Sequence, residues 1–181
     1  MNYCGNLNGV YGVKTGFTNG ANRCLVTATK RGNMDIICVV LGADTKKDRT
    51  QDSIKLIEYA FNNYEMVNIK EKIDNEYKEW KTENEKNIVV NKGIYDKVET
   101  RLEDYDLIMY PVNKEEIKDI EIQINNINYF ESPMFAGQTV GVLEVKIDGE
   151  IIYSVNIVTE KEIRKKDATD YFVELIRKIF V

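Results

Sequence analysis

Along the first third of the 181-residue chain, apolar positions come in short runs separated by glycine and asparagine. Residues 10–29 read as a strand, a turn at Asn19-Gly20 and a second strand around Arg23–Lys30, and Arg31-Gly32-Asn33 is a tight turn. The run MDIICVVLG that follows is continuous and of strand length, the pattern of a strand buried on both faces. An antiparallel meander of three strands is expected. From Asp48 to Asn62 the period becomes helical. Ile54, Ile57, Ala60, Phe61 and Tyr64 share one face, and Asp48 with Gln51 three residues on has the form of a capping box.

The pattern changes again at about Tyr64. From there to Thr159 short strands alternate with polar turns. IEIQI puts Ile120, Ile122 and Ile124 on one face, and VGVLEVKI does the same for Leu143, Val145 and Ile147. Asp148-Gly149, between that run and EIIYSVNIV, is a hairpin signal, because both residues accept positive φ in a type I′ turn. This stretch reads as a small all-β sandwich. The closing segment DATDYFVELIRKIFV is helical, with Ala168, Tyr171, Phe172, Leu175, Ile176, Ile179 and Phe180 on one stripe, and Arg164–Lys166 precede it. The expected organisation is therefore α+β in three parts: 1–63, 64–160 and an amphipathic helix in 161–181.

Composition narrows the function classes. With 43% hydrophobic and 30% charged residues the chain can build a core. A net charge of −5 argues against a nucleic-acid partner. The absence of histidine removes the Ser-His-Asp triad, the Cys-His dyad and most zinc sites, and neither a metal nor a cofactor is expected. Cys4, Cys24 and Cys38 are odd in number and not spaced as metal ligands; Cys24 and Cys38 fall on neighbouring strands and could face each other, although small core or surface residues is the stronger reading. No run is apolar and long enough to span a membrane, and no signal peptide follows Met1.

The candidate chemistry lies in Lys14-Thr15-Gly16, on the first strand and two residues after Gly12. Glycine lets a ligand backbone approach a strand edge, Lys14 supplies positive charge, and Thr15 supplies a hydroxyl that donates to a carboxylate. Lys-Thr-Gly is also the third motif of the serine enzymes that react with penicillin. The segment from Gly12 to Phe61, with KTGFT, LVTA, IICVVLG and the spacing of Arg49, Ser53, Leu56, Tyr59 and Phe61, resembles the end of the penicillin-binding domain of D-alanyl-D-alanine carboxypeptidases. SPMFAGQTVGVLEV resembles the small β-rich domain that follows it, and a C-terminal amphipathic helix is a feature of the same family.

The resemblance implies that 1–63 holds the C-terminal strands and helix of a penicillin-binding, β-lactamase-like domain. Lys14, Thr15 and Gly16 would bind the substrate's terminal carboxylate and stabilise charge at the reacting centre, Thr18 would add a hydroxyl, and Arg49 a second positive charge. The implied substrate is a peptidoglycan stem peptide, with β-lactams as inhibitors, at the outer face of the cytoplasmic membrane with 167–181 resting on lipid. The Ser-x-x-Lys nucleophile of such enzymes has no counterpart here, because Ser53 is followed by Ile-Lys-Leu, Ser132 by proline, and Ser154-Val155-Asn156 lies in the second domain. The chain is expected to correspond to the C-terminal part of the enzyme, as an excised piece, a truncated product or half of a split gene, and to be inactive alone. A sheet without its other strands is expected to self-associate through 1–63. The alternatives are a non-catalytic β-sandwich spacer at the cell surface and, less favoured because of the trailing β-domain, a β-lactamase.

Overall fold

The structure is a computed structural model that describes residues 7–107 and 109–179. It divides into two compact units, one built from residues 7–67 and 109–117 and the other from 68–107 and 118–179.

The first unit is a three-stranded antiparallel meander, β1 (Val10–Thr18), β2 (Asn22–Arg31) and β3 (Met34–Ala43), followed by α1 (Lys46–Asn63). Alternation decides which face is covered. Leu25, Thr27 and Thr29 of β2 and Met34, Cys38 and Val40 of β3 are buried, and Leu25, Cys38 and Val40 pack with Ile57 of α1. Thr27 Oγ1 and Ser53 Oγ, both buried, lie 3.0 Å apart and satisfy each other across the helix–sheet layer. Arg31 fastens the far end of the helix. Its guanidinium makes two bonds to Glu58, at 2.6 and 3.1 Å, and stacks 4.5 Å from the Phe61 ring centroid. That bidentate bond holds the Glu58 carboxyl below its ordinary range.

Three sequence expectations change in this unit. β3 is buried on one face only, because α1 covers just one side: Ile37, Val39 and Leu41 are 72%, 52% and 71% exposed. α1 begins earlier than Asp48, and its capping box is Thr45 with Asp48. The Asp48 N–H donates to Thr45 Oγ1 at 3.1 Å, and Thr45 Oγ1 donates to Asp48 Oδ2 at 2.6 Å. Cys38 pairs with Thr27 and points to the covered face, so it does not face Cys24, and both thiols are free; Cys4 lies outside the described residues. The two-stranded ladder of β4 (Tyr64–Asn68) with β7 (Met109–Asn113) closes the unit.

The second unit opens with α2 (Ile69–Asn84), which lies inside the run expected to be wholly β. Asn68 caps it, accepting from the Glu71 N–H at 3.0 Å, and Ile69, Ile73, Tyr77 and Trp80 form its inward stripe. Its partner is an antiparallel sheet ordered β6 (Thr100–Leu102), β11 (Glu150–Thr159), β10 (Thr139–Ile147) and β8 (Ile120–Asn126). A parallel pair, β5 (Val89–Asn91) with β9 (Tyr129–Glu131), completes the strands. Trp80, Ile88, Val90, Val98, Met134, Val140, Ile157 and Ile163 make the core. Buried Thr100 anchors α2: Glu85 Oε1 accepts from its N–H and hydroxyl at 2.6 and 2.7 Å, and its hydroxyl lies 2.9 Å from Tyr77 OH. The β10–β11 hairpin turns at Asp148-Gly149 with φ of 51° and 78°, the conformation expected of a type I′ turn. α3 (Ala168–Ile179) ends the described chain, N-capped by Asp167, and none of its side chains is buried.

Candidate functional site

The hairpin register fixes the geometry around Lys14-Thr15-Gly16. Lys14 is opposite Val26, Thr15 opposite Leu25, and Gly16 opposite Cys24. β1 pairs with β2 alone, so among the described residues its outer edge carries unpaired N–H and C=O groups. Successive strand residues point to opposite faces. Thr15 therefore stands on the α1 side of the sheet and Lys14 on the open side, and the two exposed side chains flank the free edge from either side.

Gly16 is informative because the fold itself does not ask for it. Its φ is not in the left-handed region, and a Cβ there would meet only the Cys24 Cβ at 3.6 Å, an ordinary contact. The absence of a side chain leaves the exposed edge open to close approach. Thr18 Oγ1 accepts from the Ala21 N–H at 3.0 Å and so shapes the β1–β2 turn, while its own hydrogen remains available to donate.

Arg49 enters from the first turns of α1. Its Nη1 donates to the Cys24 carbonyl at 3.3 Å, directly across from Gly16, and its buried Nε has no protein partner among the described residues. Two residues that the sequence reading did not assign to the site, Arg23 and Phe17, join this cluster. Arg23 lies opposite Phe17 and stacks over its ring at 4.9 Å from the centroid, continuing the row of Thr15 on the same face. The Asn19-Gly20 hairpin carried the signal: a register that pairs residue 15 with 25 also pairs 17 with 23. Thr15, Arg23 and Arg49 thus place a hydroxyl and two guanidinium groups on one side of the strand edge, and Lys14 adds an ammonium on the other. The arrangement sets a hydroxyl and three cationic groups beside an unpaired strand edge. No serine with a base in reach stands on this unit: Ser53 is buried and held by Thr27. Among the described residues no cluster of His, Cys, Asp or Glu is placed to hold a metal, and no helix is long and apolar enough to cross a membrane.

The family profile described as D-alanyl-D-alanine carboxypeptidase matches residues 2–45, and that of the penicillin-binding protein 5 C-terminal domain matches residues 61–165. The D-alanyl-D-alanine carboxypeptidase DacF of Bacillus subtilis is 30% identical over 157 residues, which is 87% of this chain and 38% of DacF. DacA of Escherichia coli is 26% identical over 176 residues, 94% of this chain and 40% of DacA. The chain therefore spans about two fifths of the length of these relatives. Among solved structures, DacD from Francisella tularensis aligns with a TM-score of 0.60 at 24% identity, over 89% of this chain and 38% of that one. Penicillin-binding protein 5 from Haemophilus influenzae aligns with a TM-score of 0.55 at 22% identity, over 85% and 43%. These two structures share the fold. On the profile covering residues 61–165 together with the Lys-Thr-Gly segment, the chain belongs to the D-alanyl-D-alanine carboxypeptidases, the low-molecular-mass penicillin-binding proteins, and matches their C-terminal part.

Proposed function

We propose that this chain supplies the carboxylate-binding wall of a serine-type D-Ala-D-Ala carboxypeptidase that trims the terminal D-Ala from peptidoglycan stem peptides. The observation that carries this reading is the free edge of β1, with Lys14 and Thr15 exposed on either side of it and Arg49 behind Gly16. A peptide laid along that edge exchanges main-chain hydrogen bonds with β1, and its terminal carboxylate accepts from Thr15 Oγ1 within the field of Lys14 and Arg49. Positive charge held there also favours the negative charge that develops when the scissile carbonyl is attacked. The acyl step needs a serine with a proton acceptor in reach, and the sequence contains neither Ser-x-x-Lys nor histidine. Alone, the chain binds and is not acylated.

Intact-mass spectrometry after incubation with penicillin tests the second half of this statement. No adduct is expected, and a stoichiometric covalent adduct would overturn the argument from the missing nucleophile. Titration of the 15N-labelled chain with an acyl-D-Ala-D-Ala peptide tests the first half. Shifts centred on residues 13–17 support the wall, and shifts elsewhere or none remove it.

The location of such an enzyme, and the partners of this chain, follow from the same reading. The protein acts outside the cytoplasm, on the outer face of the cytoplasmic membrane, with the apolar stripe of α3 resting on lipid. The stripe Tyr171, Phe172, Leu175, Ile176 and Ile179 is exposed in the folded chain, which supports this. The open face of the β1–β3 sheet pairs with a second copy. A second reading, a non-catalytic spacer at the cell surface, is favoured by the second unit's possession of its own buried core.

A further inference from the structure

We propose that α3 does not meet the membrane alone: Phe135, with Tyr95 in the adjoining loop, forms a second apolar contact on the same side of the unit, and loop and helix dock together on an anionic lipid surface. This deepens the membrane reading of α3 above and rests on it.

The placement follows from one backbone bridge. Met134 and Ile163 exchange both of their N–H···O=C bonds, each at 2.9 Å, and both side chains are buried in the core. Residues so paired point to the same side, and their neighbours point to the other. Phe135 and Arg164 therefore project away from the core together. Arg164 then grips Asp170 in the first turn of α3 at 2.5 and 2.9 Å, and Lys166, two residues on, bonds Glu174 at 2.8 Å. These pairs draw the polar face of α3 toward the unit and leave its apolar stripe facing outward. Phe135, next to Met134 in this bridge, is 66% exposed. Tyr95, 65% exposed, belongs to the loop whose Ile94 N–H donates to the Arg164 carbonyl at 3.0 Å. Exposed aromatics beside an amphipathic helix suit the headgroup level of a bilayer, where a ring is wet on one end and apolar on the other.

Charge identifies the occupant. Residues 161–179 carry six basic and four acidic side chains, and Lys161 is paired with Glu99 at 2.7 Å, which leaves a net excess of one positive charge on a chain of net −5. The acids of α3 are spent internally: Asp170 on Arg164, and Glu174 on Lys166 and Lys178. Lys165 and Arg177 have no ion pair among the described residues. Those two unpaired cations beside the apolar stripe favour an anionic phospholipid surface.

Sedimentation with vesicles of equal parts phosphatidylglycerol and phosphatidylcholine tests the proposal, using the whole chain. Phe135→Ser with Tyr95→Ser alters only exposed positions, so its melting curve should match the parent, and its partition onto vesicles should fall roughly tenfold. Phe172→Ser with Ile176→Ser on α3 should lower partition at least as far. If the loop variant partitions within about twofold of the parent while the helix variant is lost, the helix acts alone and the proposal is wrong. Equal binding to pure phosphatidylcholine overturns the anionic assignment. If the parent itself ignores both vesicle types, the membrane reading of α3 fails and this inference with it.

Discussion

Replacing Ile37 and Leu41 by lysine probes the open face of the β1–β3 sheet. Fully burying a Val, Leu or Ile side chain contributes about 1.5–3 kcal/mol. Ile37, Leu41 and Val39 retain 72%, 71% and 52% of their surface, so covering them would recover about 1–2 kcal/mol each. With the smaller share of Val26, a symmetric dimer gains roughly 7–14 kcal/mol, against an association cost of about 4–15 kcal/mol. Pairing of the free β3 edges adds main-chain bonds at about 1 kcal/mol each. A dimer of micromolar order, a net of about 8 kcal/mol, then requires an apolar gain near the upper end and an association cost near the lower end of these ranges. Two lysines per copy remove more than half of the apolar term and set like charges against each other, so the dimer should vanish at any accessible concentration. Monomer stability should change by less than about 0.5 kcal/mol, because nothing packs on these side chains now. Sedimentation velocity across a hundredfold concentration range, with urea melts alongside, measures both. A parent that stays monomeric at high concentration, or a double-lysine variant that still dimerises, would refute the reasoning. So would a large loss of monomer stability, since it would mean that this face is covered.

Four further outcomes are expected. Asp170 and Glu174 are lowered to about 2 from ordinary values of 3.8 and 4.5, chiefly by Arg164 and by Lys166, so their contribution is present above those ordinary values and is lost as pH falls toward 2; far-UV circular dichroism should show α3 unwinding over that interval, and Asp170→Asn should move the onset to higher pH. Leu143→Ala, at a fully buried position of β10, should destabilise the second unit by about 3–5 kcal/mol in urea unfolding. Gly149→Ala, at φ 78°, should cost about 1 kcal/mol, and a neutral result would mean that the turn relaxes out of the left-handed region. Thr15→Val should leave the melting curve unchanged because the side chain is exposed, and, if the proposed carboxylate wall holds, it should reduce the peptide-induced shifts along β1.

How far the fold was legible depended on how each element advertises itself. The meander, the β10–β11 hairpin and α3 carry strong local patterns, and each forms where its periodicity and turn residues point. α2 also carried a pattern, with Ile69, Ile73, Tyr77 and Trp80 at helical spacing behind an Asn68 cap, but its polar remainder and the strand-like surroundings obscured four apolar positions among sixteen. The start of α1 was misplaced by one capping box, because Asp48 serves as the partner of Thr45 as readily as it resembles a cap itself. For the candidate site, Lys14, Thr15, Gly16 and Arg49 were singled out through motif spacing and resemblance. Arg23 was not, because its place beside Phe17 depends on hairpin register and no motif announces it.

By itself the sequence determined which segments become strands or helices, where the tight turns fall, and that a Lys-Thr-Gly edge exists without a nucleophile. Those properties are set by side-chain alternation, backbone freedom and residue identity, all local. Only the tertiary structure decided which faces are covered. MDIICVVLG reads as a strand buried twice, yet it is buried once, because burial belongs to what packs against a strand. Likewise the stripe of α3 has the same composition whether it turns inward or outward. The ion pairs of Arg164 and Lys166 with its acidic face turn it outward, and those contacts join residues whose proximity exists only after the chain has folded.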